Sequence, residues 1–515
     1  MKKILIVPFV LFSLLTLNAQ TFVKIINNNI PFDFAYSGVY ALQTSQGDYM
    51  LATTVNDSVG SNIMVIKLNS TGSIILHNEL LQPLYLENAS NAMITQAGEL
   101  VIGGAFNEPN KIYDDELLLA KTDLNGNQVF MKNLTSSGIC CWDFATGNIF
   151  ETANNNYILG GIGFGISSII GYARLTDSAG NNLKTYSLGT SHRLEAIIEN
   201  SAGDIIMGGK DFNLNRAVLT KRDVNTTFKW SKTYDKGLGG SIKNTSITDI
   251  IPLPTGYLLA AKFPNPTTGK DDLWILETDL NGDTVKTVTY ANEGNIFGFK
   301  PTYNGYALAV IDSNTTSGYD FKIIFIDNNY NIITQRNYGT LNTDVLYSFE
   351  KCSDGGFIMS GLTYDSTFIY NALVIKTDSL GCVAPAASFT WKQANLANTV
   401  AGIDFTNTSL TGIIDTAATY LWNFGDNSFS SLKNPQHIYA AQGTYPVSLT
   451  ITTACGSSTF QKLVTATCTG TFNYFSHTSM LLTGIFNDPD PSGTSWSWNF
   501  GDNGTSSLKI QHTLI

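Results

Sequence analysis

A short pattern recurring at near-constant spacing constrains this chain more than any other feature. A turn followed by an apolar strand reads Gly47-Asp48-Tyr49-Met50-Leu51-Ala52, Gly98-Glu99-Leu100-Val101-Ile102-Gly103-Gly104, Asn156-Tyr157-Ile158-Leu159-Gly160-Gly161 and Gly203-Asp204-Ile205-Ile206-Met207-Gly208-Gly209. It continues as Gly256-Tyr257-Leu258-Leu259-Ala260-Ala261, Gly305-Tyr306-Ala307-Leu308-Ala309 and Gly356-Phe357-Ile358-Met359-Ser360-Gly361. Aligned at residues 49, 100, 157, 205, 257, 306 and 357, the seven copies are spaced by 51, 57, 48, 52, 49 and 51. Each is followed by a second apolar strand ending in an acidic turn, such as Leu117-Leu118-Leu119-Ala120-Lys121-Thr122-Asp123-Leu124-Asn125-Gly126, and then by a further strand such as Gln128-Val129-Phe130-Met131-Lys132. Four short strands per ~50 residues, separated by Gly, Asn and Asp turns, predict an all-β fold with a seven-bladed β-propeller over residues 20–381. A solenoid of hairpins is the competing architecture.

The ends of the array bear on closure. The seventh copy stops at Gly381 without a fourth strand, while a spare strand-like segment, Thr21-Phe22-Val23-Lys24-Ile25-Ile26, precedes the first copy. Strand 21–26 is therefore expected to complete the last blade, which removes the edges of an open array. The small residues that follow each central strand are expected near the propeller axis.

The N-terminus joins Met1-Lys2-Lys3 to an apolar run from Ile4 to Leu17 and then Asn18-Ala19-Gln20. This predicts a secretory signal peptide over residues 1–19, since a spanning helix needs ~20 apolar residues. No Cys at the junction argues for a lipid anchor, and no later run reaches spanning length. The mature protein is expected to be secreted, or held at the outer cell surface by something other than its own helix. With 41 acidic against 30 basic residues and no Lys/Arg cluster, the chain lacks the basic patch that nucleic-acid binding needs.

Six cysteines suit an oxidising compartment. Cys455 and Cys468 could bridge neighbouring strands of the C-terminal domain, but six cysteines allow ~15 pairings and the sequence does not choose among them. A metal reading lacks Cys-x-x-Cys and a nearby His.

Beyond a linker at 382–387 the pattern changes. Ala387-Ser388-Phe389-Thr390 opens alternating strands, followed by Trp422-Asn423-Phe424-Gly425-Asp426, Pro435-Gln436-His437-Ile438-Tyr439 and Gly443-Thr444-Tyr445-Pro446-Val447-Ser448-Leu449-Thr450-Ile451. Trp422 and Phe424 alternate inward, Gly425-Asp426 turns the chain, and Tyr445, Val447 and Leu449 share a face. Residues 388–468 closely resemble the polycystic kidney disease (PKD) domain, an immunoglobulin-like β-sandwich, whose motifs Trp-x-Phe-Gly-Asp, Pro-x-His-x-Tyr and Gly-x-Tyr-x-Val-x-Leu occur here in order. The resemblance implies an extracellular, non-catalytic module that spaces, adheres or binds polysaccharide and protein. Residues 469–515 resemble a second copy through Trp498-Asn499-Phe500-Gly501-Asp502, then lose the Pro and Tyr of the next motif. A truncated second PKD domain is expected there. The whole array is similar to large secreted Bacteroidetes proteins of the kind exported by the type IX secretion system. Asp57-Ser58-Val59, Asp177-Ser178-Ala179, Asp283-Thr284-Val285 and Asp415-Thr416-Ala417 match an O-glycosylation pattern of that phylum, and equally suit Asx turns.

Candidate chemistry is sparse. The turns at Asp123 and Asp279 invite calcium, but a calcium loop needs Gly sixth and Glu twelfth, whereas here Gly is fourth. Hairpin turns with a left-handed Gly account for them, and no cofactor is expected. Gly161-Ile162-Gly163-Phe164-Gly165 lacks the strand-to-helix setting of a nucleotide loop. No Gly-x-Ser-x-Gly occurs; His437 and His512 belong to the PKD pattern, and His77, His192 and His477 have no catalytic setting. Asp114-Asp115 and Asp271-Asp272 are paired carboxylates beside blade turns, and Trp142, Tyr319 and Tyr364 are candidate sugar platforms. The expected function is non-catalytic binding or adhesion to an extracellular glycan or protein. The alternative is a polysaccharide-degrading glycosidase or lyase using the propeller funnel.

Overall fold

The computed structural model describes residues 21–26, 33–56, 60–80, 86–107, 115–134, 143–164, 169–235, 245–265, 267–314, 318–340, 342–364, 369–394, 402–409, 418–467, 483–487, 498–499, 505–506 and 510–514. Among these the secondary structure is all-β, with no helix. The signal-peptide segment, Asp114, Cys140, Cys141, Trp142, Cys468 and His477 lie outside the described residues. The chain divides into two compact units, Met1–Cys382 and Val383–Ile515.

The first unit holds seven four-stranded antiparallel sheets. Six run in sequence order, over residues 33–80, 86–133, 143–190, 192–234, 246–290 and 295–338. The seventh combines Thr343–Lys351, Phe357–Tyr364 and Tyr370–Thr377 with Phe22–Ile26, paired from Phe22↔Lys376 to Ile26↔Ala372. The first strand of each sheet touches the first strand of the next, and Thr343–Lys351 of the seventh touches Asp33–Gln43 of the first.

The core lies between sheets. Side chains alternate along a strand, so Tyr49 and Leu51 pack with Ile358, Leu362 and Val374 of the seventh sheet, while Met50 and Ala52 pack with Leu100, Ile102 and Leu118 of the second. Both faces are buried, which is why each copy reads as a continuous apolar run rather than an alternation. Each buried Leu or Ile stabilises these layers by about 1.5–3 kcal/mol.

The glycines after the central strands lie in crowded places, Gly103 against Leu159 and Gly208 against Ile247 of the following sheets, and some make room for bulges. Gly104, Gly209 and Gly361 lie on second strands, each opposite a bulge in the first strand: between Ala89 and Asn91, Leu194 and Ala196, and Leu346 and Ser348. A Cβ at these glycines would overlap the carbonyl oxygen of Asn88, Arg193 or Val345. Glycine makes room for the bulge.

The last hairpin of each of the six continuous sheets closes on an Asx turn, and the same turn follows Tyr370–Thr377 in the seventh. In the second sheet, Asp123 Oδ1 accepts the Asn125 and Asn127 amides at 2.8 and 2.9 Å, and Gly126 follows at φ 73°. Asn69, Asp177, Asp223, Asp279, Asp327 and Asp378 repeat the arrangement. Neighbouring sheets are clasped at this edge by tyrosines. Tyr186, Tyr234, Tyr290 and Tyr338 donate to the carbonyls of Val224, Gly282, Tyr330 and Gly381 in the following sheet's turn.

In the second unit a three-stranded sheet (Phe389–Gln393, Gly402–Asn407, Gln436–Ile438) and a four-stranded one (Phe429–Ser430, Thr419–Asn423, Gly443–Thr453, Gly456–Ala466) share one core. Phe389, Ile403 and Phe405 face Trp422, Val447, Leu449 and Val464. Later in the chain Trp498–Asn499 pairs with Thr505–Ser506 in the register that joins Trp422–Asn423 to Phe429–Ser430. Likewise Ile485 pairs with His512 as Ile403 pairs with His437.

Candidate functional site

The ends of all seven first strands line one cavity of about 730 Å³, which includes Gln43, Glu151, Glu199, Asp249, Lys300 and Glu350. A funnel enzyme would aim such carboxylates at substrate. Here Glu151, Glu199, Asp249 and Glu350 also bridge neighbouring sheets. Glu151 Oε2 accepts the Gln96 amide of the preceding sheet at 2.6 Å, and Glu199 Oε2 accepts the Ala153 amide at 3.1 Å. Gln43 Oε1 accepts the Ser353 amide at 2.7 Å, joining the first and seventh sheets. Lys300 pairs with Glu350 at 3.0 Å. Asp249 accepts the Phe299 and Ile250 amides, each at 2.8 Å. Burial raises the Asp249 carboxyl above its ordinary range, against the pull of Lys300. Burial disfavours the charge of Lys300, but Glu350 and Asp249 outweigh it and raise its pKa.

A second set of acids was not legible as a pair. Asp320 and Asp344 are both buried, and a Cβ on Gly339 would overlap a carboxylate oxygen of each. Asp344 accepts the Thr340 amide at 2.6 Å and its hydroxyl at 3.0 Å. Burial pushes its carboxyl up to about 6, with Asp320 adding to the rise. A value of 6 suits a general acid, yet Asp344 is 0% exposed. Asp344 ties the start of the seventh sheet to the loop before it.

The other sequence candidates are scattered. Asp272 accepts the Asn292 amide at 2.8 Å, holding the connection between the fifth and sixth sheets, and Asp271 pairs with Pro264 on the neighbouring strand. Tyr319 is half-exposed, and Tyr364 leans on Tyr370 with ring centroids 5.1 Å apart. His192 Nε2 lies 3.6 Å from Asp211, but Nδ1 is bound to the Thr190 carbonyl and Asp211 caps the turn at Asn213. Among the described residues no three His, Cys, Asp or Glu side chains gather as a metal site. Cys382 and Cys455 are each disulfide-bonded, while Cys352 is a free, buried thiol pushed up to about 12, chiefly by burial.

A recurring ion pair escaped the sequence reading. Two residues before the Asx turn stand Lys67, Lys121, Lys221 and Lys376, paired with Asp48, Glu99, Asp204 and Asp354 of the same sheet's first hairpin at 3.4, 2.6, 3.0 and 2.7 Å. The signal was present as a periodic Lys within an otherwise apolar strand.

In the sandwich the motif residues converge. Trp422 Nε1 donates to the Leu432 carbonyl at 2.9 Å, and Tyr439 OH to the Phe424 carbonyl at 3.0 Å. Gly425 takes φ 82° against Pro446. The Pro435 carbonyl accepts the Phe405 amide at 2.9 Å. Gly443 opens the strand that carries half-buried Tyr445 and buried Val447, and Tyr445 stacks on Tyr439 at 4.0 Å. His437 sits under Phe424, rings 4.1 Å apart and parallel within 4°, with Tyr439 edge-on.

Asp426, His437 and Ser428 have the composition of a hydrolytic triad but not its wiring. A triad places acid and nucleophile on opposite ring nitrogens. Here Asp426 Oδ2 at 2.7 Å and Ser428 Oγ at 3.2 Å share Nε2, and the Ser428 hydroxyl also bonds Asp426. Burial disfavours the Asp426 charge, but bonds from Ser428 and His437 outweigh it and hold the carboxyl below its usual range. The cluster pins the turn.

Residues 382–468 match the family model of the PKD domain. A stretch of 44 residues is 46% identical to collagenase ColA of Bacillus cereus, covering 8% of this chain and 5% of the collagenase. Among solved structures, the PKD1 domain of the Vibrio cholerae metalloprotease PrtV is 31% identical and covers 16% of this chain and 99% of its own, with a TM-score of 0.14. A protein of unknown function from Bacteroides caccae is 13% identical over 54% of this chain and 89% of its own, with a TM-score of 0.35. No helix among the described residues is long and apolar enough to cross a membrane.

Proposed function

We propose that this chain is a secreted or cell-surface binding and adhesion protein without catalytic activity. Its seven sheets act as the blades of a closed seven-bladed propeller that takes an extracellular glycan or protein, and its PKD sandwich acts as a spacer or a second contact. The observation that carries this reading is the bonding of Glu151, Glu199 and Gln43 to backbone amides of the adjoining sheet, which gives these cavity-lining groups a structural task. The leader-like N-terminus supports export, and the likeness to Bacteroidetes surface proteins suggests the type IX route.

A polysaccharide-degrading enzyme is the second reading, favoured by the raised carboxyl of Asp344 beside Asp320. The test is to pass the full chain over immobilised plant, algal and host glycans and extracellular matrix proteins while assaying each for released product. Saturable retention with no product is expected. Product release that disappears in Asp344→Asn would establish the enzyme instead.

A further inference from the structure

The sixth sheet is one of three that lack the recurring ion pair, with Leu175 and Glu277 at the matching places of the third and fifth. Where four sheets carry lysine two residues before the Asx turn, the sixth carries Phe325, and its first hairpin turn offers Tyr303 and Asn304 in place of an acid. Phe325 is 6% exposed and meets Phe357 of the seventh sheet edge-on at 5.9 Å. Between the two sheets lies a pocket of about 970 Å³, within the ~300–1,000 Å³ typical of small-ligand sites.

Three properties of this pocket point to one ligand chemistry. First, Asp and Glu are absent from its lining, while Arg336 and Lys351 are both present, in a chain with 41 acidic and 30 basic residues. Arg336 Nε donates to the Leu380 carbonyl at 2.9 Å and Lys351 Nζ to the Pro301 carbonyl at 2.8 Å. These bonds fix both cations across the sheet boundary and leave about four guanidinium and two ammonium donors for a ligand. Second, Tyr303 at the pocket edge is 97% exposed, more than Phe228, Tyr319 or Phe297, the other exposed aromatics among the described residues of the repeats. Third, apolar Phe325, Ile333 and Leu380 are interleaved with the hydroxyls of Thr334 and Ser379. A sugar ring has the matching character, with C–H faces and a hydroxyl rim, and an aromatic side chain with a polar tip suits it.

We propose that this pocket binds a carboxylate-bearing sugar, a uronate unit of an acidic polysaccharide, with Tyr303 as the stacking platform and Arg336 and Lys351 as the carboxylate partners. The proposal rests on the binding reading above and names its ligand class and place.

The test is calorimetric titration of the full chain with tetrasaccharides of galacturonate and of hyaluronate, each also as its neutral methyl ester. Binding of at least one free acid is expected. It should weaken about tenfold or more with the ester, with Tyr303→Ala and with the double variant Arg336→Gln/Lys351→Gln, while each variant keeps a cooperative thermal transition at the titration temperature. Equal binding of acid and ester, or binding of the acid untouched by both variants, would overturn the site while leaving glycan binding intact. Binding of neither acid would overturn it as well, whether or not the glycan retention proposed above is found.

Discussion

The repeat unit and the sandwich handle polar groups in contrasting ways. In the repeats many polar side chains reach an adjoining sheet: Glu199 holds Ala153, Tyr234 holds Gly282, and the Ser360 hydroxyl accepts from the Ala41 amide and donates to the Val39 carbonyl. The work is divided among interfaces, and no single bond dominates. In the sandwich the polar groups converge on one place, where Asp426 and Ser428 hold His437 beneath Phe424, beside the indole of Trp422. Repetition gives the first unit many small supports, whereas the second depends on a few large ones. The units should therefore fail differently.

The largest effect should come from Trp422→Ala, which empties the sandwich core and orphans the Leu432 carbonyl. Urea unfolding should show a loss of about 3–5 kcal/mol confined to the sandwich transition. Next is Asp354→Asn, which leaves Lys376 charged and 0% exposed without its carboxylate. About 3 kcal/mol should be lost, the low end for a broken buried pair because Asp354 keeps some exposure. Lys376→Met added to it should restore part of the loss, and the transition that moves should be that of the repeats.

Acid separates the units by sign. Asp344 has its folded value raised to about 6, so the native state binds the extra proton. Its contribution is full below the ordinary carboxylate value of ~4 and is lost as pH rises towards 6. Comparing wild type with Asp344→Asn across that window should reveal a difference on the order of 2–3 kcal/mol in the repeat transition. Asp426 is held below its usual range, so its contribution is present above ~4 and disappears as pH falls below it. Asp426→Asn should flatten that acid-side loss in the sandwich. The smallest effect belongs to Tyr234→Phe, which removes one hydroxyl bond at one of several clasps and should cost about 1 kcal/mol.

Most of what could be read from the sequence was local. The Asx-Gly turns, the apolar runs and the Trp-x-Phe-Gly-Asp motif each lie within a few residues, and their chemistry fixes a hairpin or a strand without reference to anything distant. The bridges were hidden because their partners are set by which sheet follows which. Gln43 and Ser353 stand 310 residues apart, and Glu199 and Ala153 stand 46 apart. The bulges were hidden for a related reason: Gly104 and Gly361 signalled a close approach, but only the register identifies the approaching atom as a carbonyl of the neighbouring strand. In the sandwich, motif order named Asp426 and His437, but not their shared use of a single ring nitrogen.

The account rests on the cavity acids serving structure, and the double variant Glu151→Ala/Glu199→Ala tests this directly. Its thermal midpoint and its release of reducing ends from acidic and neutral polysaccharides would be measured beside those of the wild-type chain. The account predicts a midpoint lowered by roughly 2–4 °C or more, with no product from either protein. Product from the wild type, lost in the variant at an unchanged midpoint, would contradict it and make the cavity an active site.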